Sequence, residues 1–349
     1  MNNPEIIGVD DGHNCIKVYA GRDSATGLPI QYKMLSRAAM GIVNMGQDDA
    51  ITKELVSVDG DIFTVSESLS QFDNTCQDEY QTSKLSKALV YQALRNANLQ
   101  SNDLKITSGL PVNRFYNESK TGMNKKLISE KKETLKNMSE VFNVYDKNNN
   151  LPKINIHDVC VLCEANAAFF DVLLDDNGDD TQIGMELELY EGGAGVIDIG
   201  GRTTDCVVVN PNGQSLNASR SATRNVGILD FQDGIRASMK EEHGLRFISE
   251  VNLQKALLND CVYGLGNKKI DISEIVNHHK TILFKKLENI FDSTIGDGSD
   301  LPAIILVGGG SYFLKDLIEQ KYQNIIIPDD VEFSNARGFY KIYKHYVWK

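Results

Sequence analysis

Short apolar runs alternate with longer stretches of helical spacing along the chain. Glu5 to Val9 and Cys15 to Ala20 read as strands around Asp-Asp-Gly-His-Asn, a hairpin closed by a glycine-bearing turn. Leu55 to Val58 and Ile62 to Val65 alternate apolar and polar positions around Asp59-Gly60, a dipeptide that tolerates the left-handed geometry of a two-residue hairpin. Ser83 to Asn98 has helical spacing with Ser83 as N-cap, and Leu104 to Ser108 reads as a strand ending at Gly109-Leu110-Pro111. Asn117 to Met138 reads as a polar helix whose Lys125, Lys126, Lys131 and Lys132 form a solvated face, with a partner-binding patch as the alternative. Ile154 to Ile156 leads into a strand, Val159 to Cys163, and a helix from Ala165 to Leu174.

Asp175 to Asp180, an acidic turn-rich stretch, is the candidate linker between two halves. It lacks the twelfth-position Glu that a calcium loop requires. Beyond it, Ala194 to Ile199 and Asp205 to Val209 read as strands around Gly200-Gly201-Arg202-Thr203-Thr204. Helical patterns follow at Ile228 to Glu242, Glu250 to Cys261 and Ile272 to Ile295; then comes a strand, Ala303 to Val307, ending in Gly308-Gly309-Gly310. Val331 to Tyr346 closes the chain as a helix whose aromatic residues pack onto the first half. Strands alternating with helices in both halves predict an α/β fold.

Composition narrows the function classes. A length of 349 residues suits two domains with full cores. A net charge of −12 argues against direct binding to DNA or to anionic membranes. No run approaches the roughly 18 apolar residues of a membrane span. The N-terminus lacks a signal-peptide pattern. The six cysteines are scattered, and Cys160 and Cys163 have no second ligand pair at zinc spacing. These features predict a reduced, cytoplasmic protein.

The chemistry lies in a repeated design. Ile6-Ile7-Gly8-Val9-Asp10-Asp11-Gly12-His13-Asn14-Cys15-Ile16-Lys17 and Val196-Ile197-Asp198-Ile199-Gly200-Gly201-Arg202-Thr203-Thr204-Asp205 each join an apolar strand, an aspartate, a glycine turn and a second strand. Such turns present backbone N–H groups in a concave nest that suits phosphate oxygens. An aspartate repels phosphate but holds a hydrated Mg²⁺ that bridges to it. Two facing hairpins would clamp a triphosphate; Lys17, if buried, would be paired by an anionic ligand, and on a one-sided strand it is solvated. The glycine run at 308–310 offers a flat backbone surface to a base or a ribose phosphate.

These residues, with Thr107-Ser108-Gly109-Leu110-Pro111-Val112 and Asn335-Ala336-Arg337-Gly338-Phe339-Tyr340, resemble the actin, sugar-kinase and heat-shock-chaperone ATPase superfamily. Within it the pattern is most similar to bacterial actin-like ParM/StbA plasmid segregation proteins. The resemblance implies two lobes, each a mixed β-sheet flanked by helices, with the nucleotide in the cleft between them. It divides the chain into a first lobe at residues 1–176 with a small subdomain inserted at about 33–100, a second lobe at 177–330, and a C-terminal helix at 331–349 that returns to the first.

Position by position, the resemblance implies that Asp10 and Asp198 hold Mg²⁺ through water. Gly12, His13, Asn14, Gly200, Gly201, Arg202 and Thr203 would contact phosphates, and Lys17 would reach the β-phosphate. Gly308, Gly309 and Gly310 would face the adenosine, and Glu164 would orient the attacking water, with Asp198 as its catalytic partner. His13 stands where the family places Ser or Thr, and Arg202 where a smaller residue is common. The implied protein is an ATPase that binds ATP, with GTP as an alternative, polymerises on itself, and meets plasmid DNA through a DNA-binding adaptor. A small-molecule kinase and a nucleotide-gated scaffold are the alternatives; no general base for a substrate hydroxyl stands out for the kinase.

Overall fold

Asp10 sits opposite Lys17 in an antiparallel hairpin, and the same construction recurs at Asp198 and Asp205. The computed structural model describes residues 5–43, 52–99, 103–117, 122–138, 140–188, 193–211, 213, 215–259, 261–264 and 266–347. The first part of the chain holds β1 (Glu5–Asp11), β2 (Cys15–Arg22), β3 (Pro29–Leu35), β4 (Ala38–Met40), β5 (Leu55–Val58), β6 (Asp61–Val65), α1 (Lys84–Asn96), β7 (Asp103–Leu110), α2 (Lys125–Lys136), β8 (Val141–Asn143), β9 (Asn155–Cys163) and α3 (Glu164–Leu173). The second holds β10 (Ala194–Ile199), β11 (Thr204–Val209), β12 (Leu216–Arg224), α4 (Ile228–His243), α5 (Glu250–Leu258), the short pair β13 (Val262–Tyr263) and β14 (Ile270–Asp271), α6 (Ser273–Thr294), β15 (Ile304–Val307), α7 (Ser311–Lys321), β16 (Ile325–Ile326) and α8 (Ser334–Ile342).

Two five-stranded sheets share one topology, β3-β2-β1-β7-β9 and β12-β11-β10-β15-β16. In each, three antiparallel strands carry the hairpin and two parallel strands follow. A four-stranded sheet, β4-β6-β5-β8, stands beside the first. Its fourth strand comes from Val141–Asn143, outside the inserted segment anticipated at 33–100. Its β5–β6 turn places Asp59 at φ 49° and Gly60 at φ 87°, the paired left-handed conformation expected there. Ser83 caps α1 as anticipated, its side chain accepting from the Ser86 N–H at 3.1 Å.

Alternation along β10 divides the core. Val196, with Val207 and Val307, joins the core of the first sheet and α3, whereas Ile197 and Ile199 face the core beneath α4 and α6. The helix α8 lies against β1 and α3. Glycine permits that approach: a Cβ on Gly8 would stand 1.9 Å from the Ala336 carbonyl oxygen, and one on Gly338 1.9 Å from that of Ala167. The aromatic residues Phe339, Tyr340 and Tyr343 are buried as expected, and the Tyr343 hydroxyl donates to Asp158 at 2.7 Å, whereas Tyr346 is exposed with its ring against that of Phe170. Trp348 and Lys349 lie outside the described residues.

Two expectations need correction. The polar helix begins at Lys125, not Asn117, with Asn124 accepting from the Leu127 N–H at 3.2 Å; residues 118–121 lie outside the described set. The stretch Asp175 to Asp180 is a docked turn, closed by a bridge between Leu174 and Asp180. Its Asp176 carboxylate accepts from the Tyr19 hydroxyl at 2.8 Å and from Arg22 at 2.7 Å. Among the described residues no helix is long and apolar enough to cross a membrane.

Candidate functional site

Both hairpin turns open into one cleft of about 250 Å³. Asp10, Gly12, His13, Asn14, Lys17, Glu164, Asp198, Gly200, Gly201, Arg202, Thr203, Gly308 and Gly309 all line it. Gly310 is not among its lining residues: a Cβ there would stand 2.2 Å from Ile199 Cγ2, so this glycine serves packing at the end of β10. The two turns meet where a Cβ on Gly201 would come within 2.7 Å of Asn14 Cβ.

Strand geometry aims the acids. Asp10 faces the cleft and accepts from Lys17 Nζ at 2.8 Å. Burial acts to lower the Lys17 pKa, but the Asp10 carboxylate more than reverses it, so the ammonium stays charged. Asp198 accepts from Asn335 Nδ2 at 2.8 Å. Burial raises the Asp198 carboxyl above its usual range; the Asn335 bond opposes the rise and the Asp10 charge adds to it. Glu164 opens α3 where β9 ends. Burial raises its pKa well above that of an ordinary glutamate, and Asp10, Asp205 and Asp198 add to the effect.

The two unusual turn residues are held toward the first lobe. His13 Nδ1 donates to the Thr75 carbonyl oxygen at 2.7 Å, and the Thr75 hydroxyl donates back to the His13 carbonyl at 2.8 Å. Its ring lies against Tyr80, with centroids 5.1 Å apart, and burial lowers its pKa. Arg202 Nε donates to Cys76 Sγ at 3.1 Å, tying the second turn to the Thr75-Cys76 segment across the cleft.

Sequence reasoning missed several residues here. Asp11 points away from the cleft and is wholly engaged, accepting from Ser108 Oγ and Lys131 Nζ, each at 2.7 Å. Lys131 corrects the solvated-face reading: it is fully buried and also donates to Gln81 and to the Gly109 carbonyl. Asp205, Gln232 and Asn335 also line the cleft. Asp205 and Asn335 stand in motifs already singled out, whereas nothing in the sequence marks Gln232. Its side-chain oxygen and that of Asn335 are buried without a hydrogen-bond partner.

Comparison with known proteins matches this architecture half by half. Residues 8–165 match the family model described as the N-terminal domain of actin-like proteins. Residues 196–320 match that of the archaeal actin homologue MreB-like, C-terminal. The chain has the actin-like fold. An archaeal actin homolog of Thermoplasma acidophilum is 27% identical to this actin-like chain over 158 residues, and one of Thermoplasma volcanium 25% over 157. Each alignment covers 44% of the chain and 47% of the relative, about half the length of these curated proteins. Among solved structures, an archaeal actin homolog in complex with ADP superposes with a TM-score of 0.72 at 23% identity, covering 97% of this chain and 99% of that one. The actin-like protein Alp7A gives 0.72 at 16%, covering 97% and 95%. A 15-stranded ParM filament from Clostridium botulinum gives 0.69 at 18%, covering 98% and 99%. At these identities the shared feature is the fold.

Proposed function

We propose that the cleft binds ATP with Mg²⁺ and that nucleotide state governs assembly of the chain into filaments that segregate plasmid DNA. The observation that carries this reading is the convergence of two glycine turns, Asp10, Asp198 and Glu164 on one cleft. The exposed backbone of the turns suits phosphate oxygens, and Lys17 and Arg202 add positive charge beside them. The solved neighbours include an ADP complex and ParM filaments, which supports nucleotide binding and self-assembly as properties of this chain.

The donor set fits the metal. Asp10 and Asp198 would hold the ion through its water, their hard carboxylate oxygens accepting from it, and Asp10 raises the Asp198 pKa, a repulsion that a dication relieves. Mg²⁺ would neutralise phosphate charge there. Glu164, once ionised, would accept a hydrogen bond from the attacking water. Asn335 fixes the Asp198 carboxylate, and Lys17 fixes that of Asp10. The negative chain would meet plasmid DNA through a DNA-binding adaptor.

The variant Glu164→Gln tests the assignment. It should bind ATP and assemble as wild type does while releasing phosphate at least 100-fold more slowly, by the usual scale of general-base loss. Normal phosphate release would remove Glu164 from this role.

A further inference from the structure

Gln232 carries a buried acceptor with nothing to accept from. The residue is 1% exposed, it lines the cleft, and its Oε1 has no hydrogen-bond partner. A native structure rarely tolerates such an atom unless something outside the chain supplies the donor. Its position on α4 indicates which donor. The first amides of α4, Ile228 and Leu229, donate to the carbonyls of Gly200 and Gly201 in the second turn. Gln232 follows Ile228 by four residues, on the same helix face and about 6 Å further along the axis. Phosphates seated on the turn would give way to the sugar at about that distance.

Phosphate oxygens are acceptors and offer Oε1 nothing, whereas a sugar hydroxyl donates. We infer that Gln232 reads the ribose: its amide oxygen accepts from the 2′- or 3′-hydroxyl of the bound nucleotide and selects ribonucleotides over deoxyribonucleotides. The inference rests on the nucleotide reading of the cleft. It assigns the sugar end of the site, while Asn335, held beside Asp198 by its own amide nitrogen, belongs to the metal end.

Equilibrium binding of Mg²⁺ complexes of ATP, 2′-deoxy-ATP, 3′-deoxy-ATP and purine riboside triphosphate, which lacks the 6-amino group, tests it on wild type and Gln232→Met. Wild type should bind one deoxy analogue about tenfold more weakly than ATP, the scale of one lost hydrogen bond. In Gln232→Met that gap should close, with ATP falling to the level of the analogue. The nucleotide-free variant should melt at or above the wild-type temperature, because an isosteric apolar side chain removes the orphan acceptor. Gln232→Leu serves as a second variant lacking the acceptor. A hydroxyl preference that persists in both variants, equal wild-type binding of ATP and both deoxy analogues, or a gap that appears only with the purine riboside would overturn the assignment while leaving nucleotide binding intact. Absence of any nucleotide binding by wild type would overturn both readings.

Discussion

Lys131 Nζ lies 2.7 Å from Asp11 Oδ1, and neither side chain is more than 2% exposed. The pair joins α2 to the end of β1, immediately behind Asp10. Asp11 also accepts from Ser108 Oγ on β7 and from Ser86 Oγ on α1, so one carboxylate gathers four elements around the root of the first turn. A buried ion pair of this kind is expensive to break from one side, because the remaining charge is stranded away from water.

Lys131→Met is therefore expected to lower unfolding free energy by about 3–5 kcal/mol. Pairing it with Asp11→Asn should restore much of that loss. Urea denaturation of wild type, the single variant and the double variant measures both; equal midpoints for wild type and Lys131→Met would show that the pair contributes nothing.

The glycine contacts beneath α8 give a second test. Gly8→Ala would drive a carbon to within 1.9 Å of the Ala336 carbonyl oxygen, and both partners are backbone. The helix must move, at a cost of about 1–3 kcal/mol or more. A thermal melt several degrees below wild type is the expected result, and an unchanged melt would mean that α8 is not packed on β1 as described.

Glu164 and Asp198 set the pH response. Both carboxyls have pKa values raised in the folded chain, chiefly by burial, so the folded state binds protons more tightly than the unfolded one. The sign follows: their contribution is fully present below the ordinary carboxylate range and is lost as pH rises through the raised values. Nucleotide-free wild type should lose stability across that window, and Glu164→Gln should lose less. Melts from pH 4 to 8 compare the two slopes, and parallel curves would place Glu164 in an ordinary, solvated environment.

Much of this architecture is legible along the chain, for identifiable reasons. The hairpins at Asp10 and Asp198 announce themselves because buried strands leave continuous apolar runs and their turns need glycine. The strands β3 and β12 escape the same reading; Leu216–Arg224 is mostly polar and lies at the edge of its sheet, so no apolar alternation marks it. Lys131 escapes because its partner lies 120 residues away and a lysine among lysines on a polar helix looks solvated. Glu164 is visible at a strand-to-helix junction, whereas Gln232 reaches the cleft only because α4 docks its first turn on Gly200 and Gly201. The tight approaches at Gly8 and Gly338 depend on what packs over them, which local sequence does not carry.

The most direct test of nucleotide-governed assembly follows light scattering and pelleting of the purified chain with Mg²⁺ and ATP, ADP or no nucleotide, while released phosphate is measured in the same tube. Assembly that rises with ATP and decays as phosphate accumulates, with little assembly in ADP, is the predicted result. Assembly indifferent to nucleotide, or phosphate release that appears only when a small hydroxylated acceptor is added, would contradict it.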